Sequence, residues 1–286
     1  MTRHVTRRQF VSAGAGVVAA GLSLPHWTVA AAPEGGCTLE NKHARFVIGP
    51  DARSRHLIDK QTGRDYCGGG GKAPLARVTK AGKHYDASSL RLADGRLTLA
   101  FGDCGVEAVL RPTVHDGHFV FEVLSVTGEQ VEELNFVDIP LTLTGAPDEP
   151  FAACALALNL KTNVHELPRP AARLRAFCYG RFGMPGAKVA LAACPQEKLR
   201  EVLQQAVTAA PELPHSPIGG PWALGQPINQ GSYLFNFGGM TVEKADDWVK
   251  LAGELGMNQI DFHGGGSFRF GDCRPNPTPY PEGFKS

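Results

Sequence analysis

The stretch GHFVFEVLSV, Gly117–Val126, decides how the chain is read. In an extended backbone Phe119, Phe121 and Val123 share one side, and Val120, Glu122 and Leu124 share the other. A period of two with an apolar side marks a strand that buries one face. Just before it, VHDGH (Val114–His118) holds Asp116-Gly117 between two strand-like runs, so it reads as a hairpin turn. Working outward, short strand candidates recur at close intervals: ARFVIG, HLIDKQTGRDY with a reversal at Thr62-Gly63, LARVTKAG, and SLRLADGRLTLAFG. The last turns at Asp94-Gly95. VEAVLRPTV, LNFVDIPLTLTG, AFCYGRFG and AKVALAACP continue the pattern, and Gly68–Gly71 reads as a flexible tip. Many short strands with turn punctuation and little helical periodicity predict a mainly β domain, an antiparallel β-sandwich, over residues 33–195.

After Pro195 the period changes. Leu199, Val202, Leu203 and Ala206 repeat at helical spacing in QEKLREVLQQAVTAA, and a Pro/Gly-rich connector follows, so 196–230 reads as helix and linker. Over 231–286 a βαβ pattern begins. SYLFNF is a strand, Thr241 a helix N-cap, and Val242, Ala245, Trp248, Val249, Ala252 and Leu255 form one helix face. Gly256 suits a left-handed C-cap, and NQIDF opens a second strand parallel to the first. Two parallel strands leave apolar faces uncovered, so the segment reads as the start of a larger, incomplete α/β domain.

The formal charge of +1 offers no basic surface for nucleic acid. At the amino terminus Arg7, Arg8 and Phe10 precede an apolar run too short for the roughly 20 helical residues of a membrane span, and Ala30-Ala31-Ala32 offers a cleavage site. Residues 1–32 therefore read as a twin-arginine-type signal peptide. The mature protein is expected to be periplasmic or extracellular in a bacterium, with no membrane span. Seven cysteines lie after the cleavage site at wide spacings. No Cys-x-x-Cys or His/Cys spacing announces a metal, no bridge is assigned, and no cofactor is expected.

Ligands of α/β folds gather beyond the carboxyl ends of parallel strands. Asp261, His263 and Asp272 fall there, around the glycines Gly264–Gly266, and such groups can hydrogen-bond sugar hydroxyls. Asp261 as a backbone cap and the glycines as a plain turn read equally well. A phosphate loop needs a helix after the glycines, and SFRFGDCRPNPTPYP does not offer one. His115, His118, His165 and Glu166 are conceivable acid/base groups, and the acidic EQVEEL (Glu129–Leu134) reads as a solvated loop.

SYLFNF, TVEKADDWVKLAGELGMNQIDFHGG and FGDCRPNPTPYPEGFKS together resemble the start of the (β/α)8 barrel of α-galactosidase-type glycoside hydrolases. LENKHARFVI and LIDKQTGRDY resemble the galactose-mutarotase-like sandwich that precedes such barrels. The resemblance implies an exported hydrolase of α-linked sugars, whose carbohydrate partner is an oligosaccharide or glycoconjugate. Asp261, His263 and Asp272 would then be substrate-binding. Asp261-Phe262-His263-Gly264 stands where the family often has Asp-Asp-Gly-Trp, and Cys273 replaces an expected tryptophan. The family's catalytic carboxylates come from later strands, so the resemblance implies an amino-terminal fragment, inactive alone, with the catalytic residues unknown. Two other readings remain. One is a non-catalytic carbohydrate-binding sandwich with Trp222, Tyr179 or Phe182 as an aromatic platform; the other is an aldose mutarotase using His165 or a neighbouring histidine.

Overall fold

The computed structural model describes residues 28–32, 35–165, 172–213, 215, 233–236, 241–257 and 259–262. Arg7, Arg8 and Phe10 of the expected leader lie outside the described residues, as do Trp222, His263, Asp272 and Cys273. The chain divides into two compact units, Met1–Leu203 and Gln204–Ser286. The described secondary structure is mainly antiparallel β, as the alternation predicts.

In the first unit β1 (Thr28–Ala30), β2 (Cys37–Glu40), β3 (Ala44–Ile48) and β4 (Ser54–Asp59) form a four-stranded sheet in sequence order. Next come β5 (Arg77–Lys80), β6 (Lys83–Asp86), β7 (Ser89–Ala93), β8 (Arg96–Ala100), β9 (Glu107–Val114) and β10 (His118–Thr127). They are followed by β11 (Val131–Pro140), β12 (Phe151–Ala157), β13 (Asn163–His165), β14 (Arg173–Tyr179) and β15 (Lys188–Pro195). Six of these assemble in the order β12-β15-β10-β9-β8-β7 and five in the order β13-β14-β11-β5-β6. The hairpin β5–β6 and the run β7-β8-β9-β10 stay within one sheet each, β11 to β15 divide between the two, and the apolar sides of both sheets meet in one core.

The core follows from the alternation. Phe119, Phe121 and Val123 of β10 are buried against Leu97, Leu99, Ala108 and Leu110 in one cluster, with Val78, Leu134, Ala176 and Cys178 from the five-stranded sheet. Burying each large apolar side chain is worth about 1.5–3 kcal/mol. Val120, Glu122 and Leu124 stay half-exposed, as the pattern requires. Asp94 and Gly95 both have positive φ, 50° and 68°, so the β7–β8 connection is the left-handed two-residue turn that matches strand twist. Gly68–Gly71 is not a flexible tip. Gly69–Gly71 forms a 3-10 turn, Gly71 is buried, and its carbonyl accepts a 2.6 Å bond from the Arg55 guanidinium.

Sequence alternation misses β12. Its run FAACALA is alanine-rich and has weak intrinsic strand preference, yet it pairs with β15 over seven residue pairs. It misses β1 as well, which lies within the segment read as the leader. Thr28–Ala30 pairs with β2 as an edge strand, Val29 opposite Leu39.

Helix α1 (Leu199–Thr208) follows a 3-10 turn over Gln196–Lys198. Its start docks on the outward face of β15: Val202 is buried with Ala192 and Cys194, and Leu199 and Leu203 pack against them. Gly117 in the β9–β10 turn makes this approach possible, since a Cβ there would lie 2.6 Å from a Val202 methyl.

The second unit contains β16 (Tyr233–Asn236), α2 (Val242–Glu254) and β17 (Gln259–Phe262). β16 and β17 pair in parallel, with Leu234 opposite Ile260, as predicted. Thr241 occupies the N-cap position, but its side chain makes no capping bond to the helix. At the other end Gly256 has φ 68°, and the amides of Gly256 and Met257 donate to the carbonyls of Gly253 and Ala252, which is a Schellman cap. Of the expected apolar face Ala252 is buried and Ala245 and Trp248 are half-buried, whereas Val242, Val249 and Leu255 are exposed.

Gly117→Ala is expected to cost about 1–3 kcal/mol in urea unfolding, because the stiff valine cannot swing aside. Combined with Val202→Ala, the total should fall clearly below the sum of the two single changes. Simple additivity would show that the turn and the helix start do not press on each other.

Candidate functional site

Asp261 is the one expected ligand residue whose backbone is described. It is the third residue of β17, opposite Phe235, near the strand's carboxyl end, where the sequence reading puts it. His263 and Asp272 lie outside the described residues.

The outward face of the five-stranded sheet carries a polar surface built from neighbouring strands. It is positioned by β11. Leu134 and Ile139 point into the core, and a β-bulge between Asn135 and Val137 inserts Phe136 into the buried set. The extra residue leaves Asn135 and Asp138 on the same, outward side, three positions apart. There the Asp138 carboxylate, only 7 % exposed, accepts a 2.6 Å bond from the Arg173 Nε, and the Asn135 amide donates to its second oxygen at 3.3 Å. Arg173, Arg175, Phe177 and Tyr179 alternate along β14 on this side, and the Arg175 guanidinium lies 5.9 Å from the Phe177 ring centre. On β5 and β6, Arg77 pairs with Asp86 at 2.7 Å. His165 reaches this sheet through β13, opposite Arg175.

Toward one end of the same face, cross-strand register sets Tyr179, Glu133, Thr79 and His84 in a single row across β14, β11, β5 and β6. The Thr79 hydroxyl and His84 Nδ1 share a 3.0 Å hydrogen bond, and the Tyr179 hydroxyl accepts from the Asn163 amide at 3.0 Å. These residues line a cavity of about 900 Å³ with Ala81, Gln130, Val131, Glu132 and Arg181. Glu132, within the stretch read as a solvated acidic loop, accepts from the Gly82 amide at 2.9 Å. Thr79 lies in a run read only as a strand, and Glu133 lies in the same acidic stretch as Glu132. Only the register of one hairpin, β5–β6, and of two pairings across long connections brings them together, and no local motif announces it.

The remaining acid/base candidates separate. His115 and His118 stack with ring centres 4.5 Å apart in the β9–β10 turn. His118 is 3 % exposed and its Nδ1 has no hydrogen-bond partner among the described residues. Burial first, and the neighbouring His115 second, push its pKa down to about 4, while Asp116 opposes them weakly. The pair belongs to packing on the sandwich, not to the polar sheet face.

Four of the described thiols are held in the unreactive protonated form. All six described cysteines are free, and burial pushes Cys37, Cys67, Cys178 and Cys194 up to about 12, so they stay protonated at neutral pH. Among the described residues no group of three or more His, Cys, Asp or Glu side chains converges as a metal site would require. No described helix is long and apolar enough to cross a membrane.

No protein-family model and no curated protein matches the sequence. Among solved structures the chain is similar to a GH31 family sulfoquinovosidase from E. rectale in complex with the aza-sugar inhibitor IFGSQ. The TM-score is 0.32 and the identity 6%, over 77% of this chain and 39% of that one, so this chain spans well under half the length of that enzyme.

His118 makes the protein sensitive to acid. Its native pKa lies below the unfolded value of 6.5, so the neutral ring contributes stability that is complete above pH 6.5 and lost as pH falls toward 4. The full loss is on the order of 3 kcal/mol. Urea midpoints measured from pH 7 to 4 should fall less steeply in His118→Leu than in the parent. Equal slopes would assign the acid sensitivity elsewhere.

Proposed function

We propose that the chain is the amino-terminal part of an exported glycoside hydrolase acting on α-linked sugars. One observation carries this reading: two parallel strands joined by a helix, with Asp261 near the carboxyl end of the second. Loops and strand-end backbone groups converge there in α/β folds, so a carboxylate at that point is well placed to accept hydrogen bonds from sugar hydroxyls. The motifs following Asp261, which resemble those of α-galactosidase-type hydrolases, support the same assignment, with His263 and Asp272 as further sugar contacts. Retaining hydrolysis needs two carboxyl groups about 5 Å apart. In the resembled family these belong to later strands, so the chain alone is assigned substrate positioning without turnover. The Arg7-Arg8-x-Phe10 pattern supports export in the folded state to the periplasm or beyond.

A second reading, carbohydrate binding by the sandwich itself, is favoured by the outward face of the five-stranded sheet. Its paired arginines, carboxylates, amides and aromatic rings are the groups with which proteins hold hydroxyl-rich ligands.

The hydrolase reading is tested by expressing the chain joined to whatever the gene encodes downstream and assaying nitrophenyl α-glycosides. The longer product should release nitrophenol and the 286-residue chain should not. Asp261→Asn should lower kcat/KM by about tenfold or more through loss of a charge-assisted hydrogen bond. Turnover by the short chain, or an unchanged Asp261→Asn enzyme, would contradict the assignment.

A further inference from the structure

The cavity at the end of the five-stranded sheet is a binding site of its own, and we infer that it takes a neutral pyranose ring of an oligosaccharide. The inference goes beyond hydrolysis: it involves none of Asp261, His263 or Asp272, and it stands or falls on residues of the sandwich alone.

Glu133 is the centre of the argument. Its carboxylate is half-buried in the middle of the row, between Tyr179 on one neighbouring strand and Thr79 on the other. It has no hydrogen-bond or ion-pair partner among the described residues. A carboxylate held in a concavity needs donors, and an apolar ligand would strand it. Two adjacent sugar hydroxyls can donate one hydrogen bond to each carboxylate oxygen. On either side stand groups of complementary kind: the Thr79–His84 pair can donate or accept, and the Tyr179 hydroxyl keeps its own proton to donate.

The aromatic groups add the second half of a sugar site. Tyr179 and Phe182 meet edge to face, with ring centres 6.4 Å apart and planes at 87°, and Phe182 remains 60 % exposed beside the cavity. An exposed phenyl ring fixed in this way offers a flat apolar surface to the C–H face of a pyranose. Arg181 holds the corner, its guanidinium 4.6 Å from the Phe182 ring centre and 5.7 Å from that of Tyr179. It has no carboxylate partner among the described residues, so its N–H groups are available to hydroxyl oxygens. The volume of about 900 Å³ lies within the roughly 300–1,000 Å³ of small-molecule sites.

Charge selects a neutral ligand over an acidic one. Glu132 and Glu133 line the cavity with a single guanidinium, that of Arg181, so carboxylates outnumber it. A uronic acid or sugar phosphate would meet two carboxylates at close range.

The test is isothermal titration of the whole chain with maltotriose, isomaltotriose, raffinose and trigalacturonate. At least one of the three neutral sugars should bind. Glu133→Gln and Phe182→Ala, both changes that leave the core intact, should each weaken that binding by about tenfold, and Arg91→Ala, at an exposed position of β7 on the six-stranded sheet, should leave it unchanged. Failure of all three neutral sugars, equal binding by the two sandwich variants and the parent, or preference for trigalacturonate would overturn the inference. Binding that disappears in Asp261→Asn alone would also overturn it, while leaving the hydrolase reading intact. Binding here by the chain, with no hydrolysis by the longer downstream-extended product, would do the reverse.

Discussion

The bulge in β11 sets the character of the whole sandwich. Its strand must bury Leu134, Phe136, Val137 and Ile139 in one core and still present Glu133, Asn135 and Asp138 outward. Strict alternation cannot satisfy both demands. Because the side-chain period of a strand is two, the same sequence paired without the bulge would turn Asp138 inward among aliphatic groups. Burying an unpaired carboxylate there would cost several kcal/mol. The inserted residue shifts the phase by one. Asp138 then meets Arg173 from the neighbouring strand, and the same phase carries Glu133 into the row with Tyr179, Thr79 and His84. A core requirement and a polar outward face are thus met by one local irregularity.

Much of this fold is legible in the sequence, for specific reasons. The alternation of Phe119, Phe121 and Val123 survives because β10 lies inside the six-stranded sheet with one face buried. Asp94-Gly95 marks its hairpin because both residues tolerate positive φ. Gly256 marks the end of α2 for the same reason, and the Schellman bonds follow from it. The alanine-rich β12 is hidden, since its pairing with β15 is decided by tertiary partners and not by its own residues. The bulge is hidden too. LNFVDIP reads as a plain strand, and only pairing with β14 shows where the register shifts.

The polar face was far less legible than the fold. Thr79, Glu133 and Tyr179 are separated by long stretches of chain, and register alone makes them neighbours. In sequence Glu132 and Glu133 look like members of a solvated acidic loop, yet one braces the β5–β6 turn and the other stands half-buried. The aromatic pair Tyr179 and Phe182 was visible as a candidate platform, and the structure sets the two rings edge to face next to that row. His115 and His118 illustrate the opposite case. They look like acid/base groups in sequence, and they stack in a turn beneath the start of α1. The seven cysteines show no metal or bridge spacing in the sequence, the six described ones are free, and burial holds the four most strongly perturbed of them protonated.

The central claim is that the outward face of the five-stranded sheet is a recognition surface, held rigid by the core behind it. Hydrogen exchange of the whole chain, followed by mass spectrometry with and without a saturating neutral oligosaccharide, addresses it directly. The account predicts added protection in peptides covering residues 79–84, 130–133 and 179–182, with the six-stranded sheet already protected in both states. Protection confined to other segments, or none on this face, would contradict it.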